Sequence, residues 1–522
     1  MLRAALFTII CASLTSAALA QNTFMRYYSQ AGGMDERTMH ELSSGNVLVG
    51  FAYNSGISLI DPFGNILHTR RYLVDTFMVI QSVRKRTDND FAFVSIYNKD
   101  TCGNIFTANP AIGRMDSLGN ISDVKSYTFN GRCAAGFGGD LEITASNDVV
   151  AWGRDWGFFA MRVGPTGDVQ WAKRFQHRGG FNFIKELPGG DLLAGFNTDT
   201  AGACVARLDA TGNFIWCKSY IRPRAHVTDV LIEDDESFIL TGYTDSIAST
   251  GLPEPLPPTF QPKLFLMKLN GIGEVQWCKG YDSGQYLWYT RVKSQIRRSL
   301  DGNYVVLANL GWPNYHIEYR PFLMKTDQNG DTLWTRSVGR NNQTTLAVNL
   351  MVCSDGGYLH TGLNYSSGSY LYKTDSMGNH PCYNRWHQVV VSNLFPSDSS
   401  FTMHSVDGAT MHPAFVTVVE NPPINVSEEC ATEIVQPYKR PSGLRISPNP
   451  NTGHFTLSFA DPLMAESYYS VYDTMGKLLF QRPLPQGKES EEVDLSRFGA
   501  GTYVVRVTSK EGSSYERVLC SP

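Results

Sequence analysis

What the sequence lacks narrows it first. After residue 20 no run of about 18 apolar residues occurs, so no segment reads as a membrane-spanning helix. The C-x-x-C spacing of zinc sites is missing, as are a Gly-x-Ser-x-Gly elbow, a His-Glu-x-x-His helix and a glycine-rich phosphate loop between strand and helix. Motifs therefore name no catalytic residue, no metal ligand and no cofactor, although a site assembled from distant segments would leave no local motif. Charge is sparse at 18%, with a net charge of -4, which is not the basic balance of a nucleic-acid binder. Long stretches with a 3.6-residue apolar period are also missing. Turn signals and 47 glycines are abundant, so the chain reads as all-β.

At 522 residues the chain is too long for one core. Its first residues carry Arg3, the apolar stretch from Ala4 to Leu14 and then Ala18-Leu19-Ala20, the pattern of a secretory leader over residues 1–20 with cleavage after Ala20.

A hairpin recurs seven times in residues 21–379. An apolar strand ends in Asp-x-x-Gly or a variant, and a second strand of the type Trp-x-Lys-x-Tyr follows, as in ARLDATGNFIWCKSY and MKLNGIGEVQWCKGY. The turn glycines are Gly64, Gly119, Gly167, Gly212, Gly273, Gly330 and Gly378, spaced 45 to 61 residues apart, a period that suits propeller blades. Two further strands precede each hairpin, which predicts a seven-bladed β-propeller of four-stranded units. The seventh copy lacks its last strand, and Phe24-Met25-Arg26-Tyr27-Tyr28 near the start matches it. The N-terminal strand is therefore expected to pair with residues 369–374 and close the ring.

The turn aspartates, such as Asp61 and Asp209, cap their own backbone and need no metal to explain them. Cations recur two residues before the turn (Arg114, Arg162, Arg207, Lys268, Lys325, Lys373) and six residues after its glycine (Arg70, Lys125, Lys173, Lys218, Lys279, Arg336). Blade-to-blade ladders account for such columns, the alternative being a ring for an anionic ligand.

Residues 380–432 hold short strand-like runs between Cys382 and Cys430 and are expected to form a small β-rich module stapled by a bridge between those cysteines. Residues 433–443 read as a linker. Cys102 and Cys133 flank an irregular stretch and are a second candidate pair. Cys204 and Cys217 lie on the strands of one hairpin, where turn type decides whether they face each other. Nine cysteines follow the leader, so at least one stays unpaired or bonds another molecule.

Residues 444–522 carry three ordered motifs: ISPNPNTGHFTLSF with Pro448, Asn449, Pro450, Gly453 and Phe455; YSVYDTMGKLLF with Asp473, Gly476 and Lys477; and VDLSRFGAGTYVVRV with Leu495, Gly501 and Tyr503. These resemble the type A C-terminal sorting domain of proteins exported by the type IX secretion system of Bacteroidetes. The extreme end, ERVLCSP, departs from the family's basic tail. The resemblance implies a small β-sandwich, recognition by the type IX secretion machinery, removal of the domain, and release of the remainder or its attachment to the cell surface by way of the periplasm. Membrane contact is then limited to export and attachment. The repeats also resemble those of propeller proteins that carry this domain, which implies a fold and no activity.

Two irregular insertions bring Trp288, Trp312 and Tyr315 close in sequence, with Gly311 and Pro313 breaking the strand between them. Aromatic rings on a propeller rim suit stacking on a sugar or gripping a peptide, and packing on an elongated blade is the plainer role. A binding or adhesion module for a glycan or protein is the first functional expectation. An extracellular enzyme with channel carboxylates is the second.

Overall fold

The computed structural model describes residues 23–521 except 30–33, 52–55, 74–76, 99–108, 130–136, 155–157, 176–178, 199–201, 221–224, 245–261, 285–286, 289–292, 312–318, 339–344, 365–367, 383, 401–402, 404, 414–417, 421–423, 429–443, 460–461, 464–466, 474–477 and 510–511. The leader lies outside the described residues. Among these residues one 3₁₀ turn, Ser496–Phe498, interrupts an otherwise β chain.

Each hairpin turn is built by its own residues. Asp61 Oδ1 accepts the backbone N–H groups of Phe63 and Asn65 at 2.9 and 2.8 Å, and Gly64 N donates to Asp61 O at 3.0 Å. The glycine at this point has φ of +84°, and the other six turn glycines fall between +72° and +88°, a conformation that a Cβ would strain. The strands that these turns join are apolar on both faces because every blade is packed between two others. Phe158–Val163, for example, is buried at every position.

Seven antiparallel sheets result. Blade 1 runs from Met34–Glu41 to Ile66–Leu73, blade 2 from Phe77–Thr87 to Ile121–Thr128, and blade 3 from Phe137–Ile143 to Val169–Phe175. Blade 4 runs from Gly179–Glu186 to Phe214–Tyr220, blade 5 from His226–Ile232 to Val275–Asp282, and blade 6 from Leu287–Trp288 with Gln295–Arg298 to Thr332–Val338. Blade 7 takes Thr345–Val352, Tyr358–Asn364 and Gly368–Lys373 from one end of the chain and Phe24–Ser29 from the other. The closing strand pairs in register from Phe24↔Lys373 to Tyr28↔Ser369. The first strand of each sheet is innermost.

The tyrosine of Trp-x-Lys-x-Tyr and the turn glycine work across a blade boundary. Tyr72 Oη donates to Gly119 O at 2.8 Å, Tyr127 to Gly167 O at 3.1 Å, Tyr220 to Gly273 O at 2.6 Å and Tyr281 to Gly330 O at 2.6 Å. Tyr28 of the closing strand makes the same bond to Gly64 O at 2.7 Å, so the seam of the ring is bonded like an ordinary junction. At the other two junctions Phe175 and Val338 replace the tyrosine, and an indole faces the turn glycine, Trp171 at Gly212 and Trp334 at Gly378.

Both cation columns are structural. Within blades, Arg162 meets Asp148 at 2.8 Å, Arg207 meets Asp191 at 2.7 Å and Lys373 meets Asp355 at 2.7 Å. Between blades, Lys218 donates to Gly273 O at 3.2 Å and Arg336 to Asn379 Oδ1 at 3.1 Å.

The segment expected to be a small β-rich module has no sheet of its own among the described residues. It is a belt. Asn384–Arg385 pairs with the outer strand of blade 6, Val390–Asn393 with blade 5, Asp398–Ser400 with blade 4 and Ser405–Asp407 with blade 3. Thr410–Pro413 then takes blade 2, Val418–Glu420 blade 1 and Asn425–Glu428 the closing strand of blade 7. Each blade gains a fifth antiparallel strand, and the belt circles the ring in the order opposite to the blades. The physical reason is edge satisfaction: runs this short have no core to build, whereas seven open strand edges offer unpaired N–H and C=O groups.

Residues from Arg445 onward form two facing sheets: Arg445–Ser447, His454–Ser458 and Ser490–Asp494 in one, and Leu478–Leu484, Ser467–Asp473, Gly501–Ser509 and Gly512–Cys520 in the other. Phe455, Leu457, Tyr469, Val471, Leu495 and Val505 are buried between them.

Candidate functional sites

The innermost strands surround a cavity of about 540 Å³ on the propeller axis, lined among others by His40, Arg84, Asp140, Asn182, Asp229 and Gln295. Six of the seven inner strands shift register through a bulge, and in blade 6 the inner strand is split instead. A bulge re-aims side chains out of the ladder. Here the re-aimed groups bridge neighbouring blades.

A ring of contacts follows. Val83 N donates to Thr38 Oγ1 at 2.9 Å between blades 1 and 2, and Ser82 Oγ to Asp140 at 2.6 Å between blades 2 and 3. Lys185 meets Glu142 at 2.7 Å, Asn182 Nδ2 donates to Val227 O at 2.6 Å, and Arg297 meets Asp229 at 2.6 Å. Gln295 spans blades 6 and 7, donating to Val348 O at 3.0 Å and accepting Leu350 N at 2.7 Å. Glu41 accepts the backbone N and Oγ of Ser354 at 2.7 and 2.8 Å, which completes the circle.

Two carboxylates line the cavity. Asp140 Oδ1 accepts Ser82 Oγ, Leu141 N and the Arg84 guanidinium at 2.6, 2.8 and 2.7 Å, and Asp229 Oδ2 accepts Ile296 N and Arg297 at 3.1 and 2.6 Å. Both are committed to holding blades. His40 Nε2 contacts Val83 O at 2.7 Å, and burial pushes its imidazole down to about 4, so it stays neutral at ordinary pH. No cluster of three or more metal-ligating side chains occurs among the described residues.

These channel residues were not legible one by one, because each contact joins different repeats and only Asp140 and Asp229 share a residue type directly after the bulge. The candidate rim is only partly described. Trp288 lies in a two-residue strand in register with Leu310, and Leu287 with Gly311. Trp312 and Tyr315 lie outside the described residues. Cys382 is disulfide-bonded, whereas Cys102, Cys133 and Cys430 lie outside the described residues. Cys204 and Cys217 are buried and are not in a disulfide. A bulge between Arg207 and Leu208 pairs Cys217 with Ala206, so the two thiols end as diagonal neighbours on one face of the sheet.

In the C-terminal domain the motif residues hold the fold. Asn449 donates to Arg517 O at 2.7 Å and accepts Leu519 N at 2.8 Å, a side chain acting as one more residue of strand backbone. It stands between Pro448 and Pro450 in a turn. Gly453, at φ of +98°, brings its carbonyl to Leu495 N at 2.7 Å, and a Cβ there would lie 2.9 Å from Ser496. Tyr503 Oη donates toward Phe498 O and Gly499 O at 2.8 and 3.0 Å, while Phe455 and Leu495 fill the core. Asp473 lies opposite Tyr503, and Gly501 opposite Cys520. Gly476 and Lys477 lie outside the described residues.

Residues 445–521 match the family described as the secretion system C-terminal sorting domain. The C-terminal unit is a sorting domain. The protein is accordingly a type IX secretion cargo, handled by that machinery and delivered through the periplasm to the cell surface or beyond. No curated protein matches the chain. Among solved structures, a streptogramin B lyase is similar at 11% identity, covering 67% of this chain and 97% of its own, with a TM-score of 0.43. PorZ, a surface component of the type IX secretion system of Porphyromonas gingivalis, is similar at 10% identity over 91% of this chain and 69% of its own, with a TM-score of 0.31. A Kuenenia stuttgartiensis hydrazine synthase is similar at 12% identity over 65% of this chain and 95% of its own, with a TM-score of 0.44. Likenesses this distant say nothing about chemistry.

Proposed function

We propose that the propeller body is a binding or adhesion module of the cell surface, taking a glycan or protein through aromatic loops at one end of blade 6. The observation that carries this reading is the register of Trp288 with Leu310. It brings the first aromatic insertion to the point where the chain enters the second, which bears Trp312 and Tyr315. Among the described residues, the carboxylates that line the channel, Asp140 and Asp229, are engaged in joining blades, which favours binding over channel catalysis. A glycan and protein array probed with the full chain, with the double substitution Trp312→Ala and Tyr315→Ala beside it, tests the proposal. Lost retention with an unchanged melting temperature is the expected result. Destabilisation of about 3–5 kcal/mol, the usual cost of deleting a packed ring, would assign both residues to the core instead.

A further inference from the structure

The bulges that join the blades also leave hydrogen-bonding groups over, on residues that line the axial cavity. Asn349, directly after the bulge of blade 7, lines the cavity and is only 5% exposed. Its Oδ1 accepts Leu350 N at 3.0 Å, which fixes the orientation of the amide and leaves Nδ2 as a donor with no partner among the described residues. Asn182 is the extra residue in the bulge of blade 4. It commits Nδ2 to Val227 O at 2.6 Å and keeps Oδ1 as an acceptor.

His40 Nε2 lies against Val83 O and so carries the proton, which leaves Nδ1 as a lone-pair acceptor. Asp229 takes Ile296 N and Arg297 on Oδ2 and keeps Oδ1. Arg297 keeps Nε–H and one N–H of Nη2 beyond its bonds to Asp229, Ile296 O and Gln295. These five residues come from five different blades and line one cavity. The Arg297 side chain is 36% exposed, so the cavity reaches solvent.

The mixture of donors and acceptors decides the class of ligand. A simple anion would meet the N–H groups of Asn349 and Arg297 but would also face the lone pairs of His40 and Asn182. An ammonium ion would meet those lone pairs, but Arg84, Lys185, Lys293, Arg297 and Arg298 outnumber the lining carboxylates Asp140 and Asp229 and repel it. A hydroxyl group both donates and accepts, so a ligand rich in hydroxyls satisfies both kinds of group at once. The carbon face of such a ligand finds Met39, Val230 and Met351 in the same wall. At about 540 Å³ the cavity has the size of small-molecule sites.

We propose that the axial cavity is a second binding site, independent of the blade 6 rim, which takes one hydroxyl-rich sugar unit. Asn349 Nδ2 and Arg297 donate to its oxygens, while His40 Nδ1, Asn182 Oδ1 and Asp229 Oδ1 accept from its hydroxyls. Burial holds the His40 imidazole down at about 4, so its lone pair is available at ordinary pH.

Titration of the full chain with glucose, galactose, N-acetylglucosamine and glucuronate, followed by NMR, tests the site, with inorganic phosphate and ethylamine as controls. Saturable binding of at least one sugar, tighter than either control, is expected. Asn349→Leu keeps the volume and removes the donor, and Leu350 N retains Gln295 Oε1 at 2.7 Å. That substitution should weaken the sugar about tenfold, since it leaves a ligand hydroxyl without its donor. No saturable sugar binding, or tighter binding of phosphate or ethylamine, would overturn the proposal. The Trp312→Ala/Tyr315→Ala chain is titrated beside it. Sugar lost there and kept in Asn349→Leu would place the ligand at the rim and overturn the channel site, whereas the reverse supports the channel whatever becomes of the rim. Should Asn349→Leu not fold, a crystal of the wild-type chain with the bound sugar decides instead. Sugar within hydrogen-bond distance of Asn349 Nδ2 is expected, and sugar found only outside the cavity would overturn the site.

Discussion

Blades and belt are both β-structure, yet different forces hold them. The blades bury large side chains almost completely, with Trp152, Tyr28, Tyr220, Tyr281 and Tyr304 at 2% exposure or less. Belt strands are two to four residues long and half-exposed or exposed in their described positions, and Val390 within them and Trp386 and Phe395 beside them face solvent. Apolar burial builds the blades, and backbone pairing on edges that the blades have already made places the belt. The difference implies an order of formation: the belt has nothing to pair with until all seven outer strands exist.

The largest expected effect comes from removing the strand that serves both regions. Phe24–Ser29 lies between Gly368–Lys373 and the last belt strand, with Phe24, Met25, Tyr27 and Tyr28 all buried. Four such side chains are worth on the order of 10 kcal/mol of burial, comparable to the whole stability of a domain. Deleting residues 23–29 should therefore leave no soluble monomer, read by size-exclusion chromatography. A soluble monomer with wild-type melting would mean that the belt closes the ring unaided.

A smaller effect should come from acid, and it centres on the blades and on the point where the belt leaves them. His360 of blade 7 and His380, at the start of the belt segment, lie against each other with Nε2 atoms 2.7 Å apart, buried beside Tyr370 and Tyr372. Burial pushes His360 well below the ordinary imidazole value and His380 down to about 3, and His40 sits at about 4. The folded state holds these rings neutral while the unfolded chain takes up protons near 6.5, so their contribution is complete above pH 6.5 and falls as pH drops toward 4. Each ring should cost on the order of 1 kcal/mol per pH unit in that window. Urea midpoints at pH 7.5 and 5 measure it, and a flat profile would mean that these sites are wet.

The contrast also explains what was legible in the sequence. The Asp-x-x-Gly turns repeat because each needs a glycine at positive φ and an aspartate to cap it. Seven glycines therefore marked the blade number, and Phe24 to Tyr28 supplied the missing last strand of the seventh copy. The purpose of the tyrosine column was hidden, since Tyr220 and Gly273 belong to different repeats. The belt was illegible for a stronger reason. Strands such as Asp398–Ser400 have neither apolar alternation nor length, and they borrow their partners from residues nearly two hundred positions away, in reverse order. In the sorting domain the motifs were readable as a family, while the reason for Asn449, a graft onto the last strand, needed coordinates.

The smallest effects separate the regions most cleanly, because they remove single polar contacts of each kind. Tyr220→Phe deletes one buried hydroxyl and leaves Gly273 O with the Lys218 ammonium at 3.2 Å as a remaining donor, so about 1 kcal/mol should be lost. Asp407→Asn in the belt breaks the 3.1 Å pair with Lys173, whose partner Asp407 is 77% exposed. Water screens that pair and Lys173 keeps Asn213 Oδ1 at 3.1 Å, so the loss should stay below about 0.5 kcal/mol. Paired denaturation curves decide the matter. If Asp407→Asn costs as much as Tyr220→Phe, then the belt is held by its side chains as well as by its backbone, and the division drawn between the two regions fails.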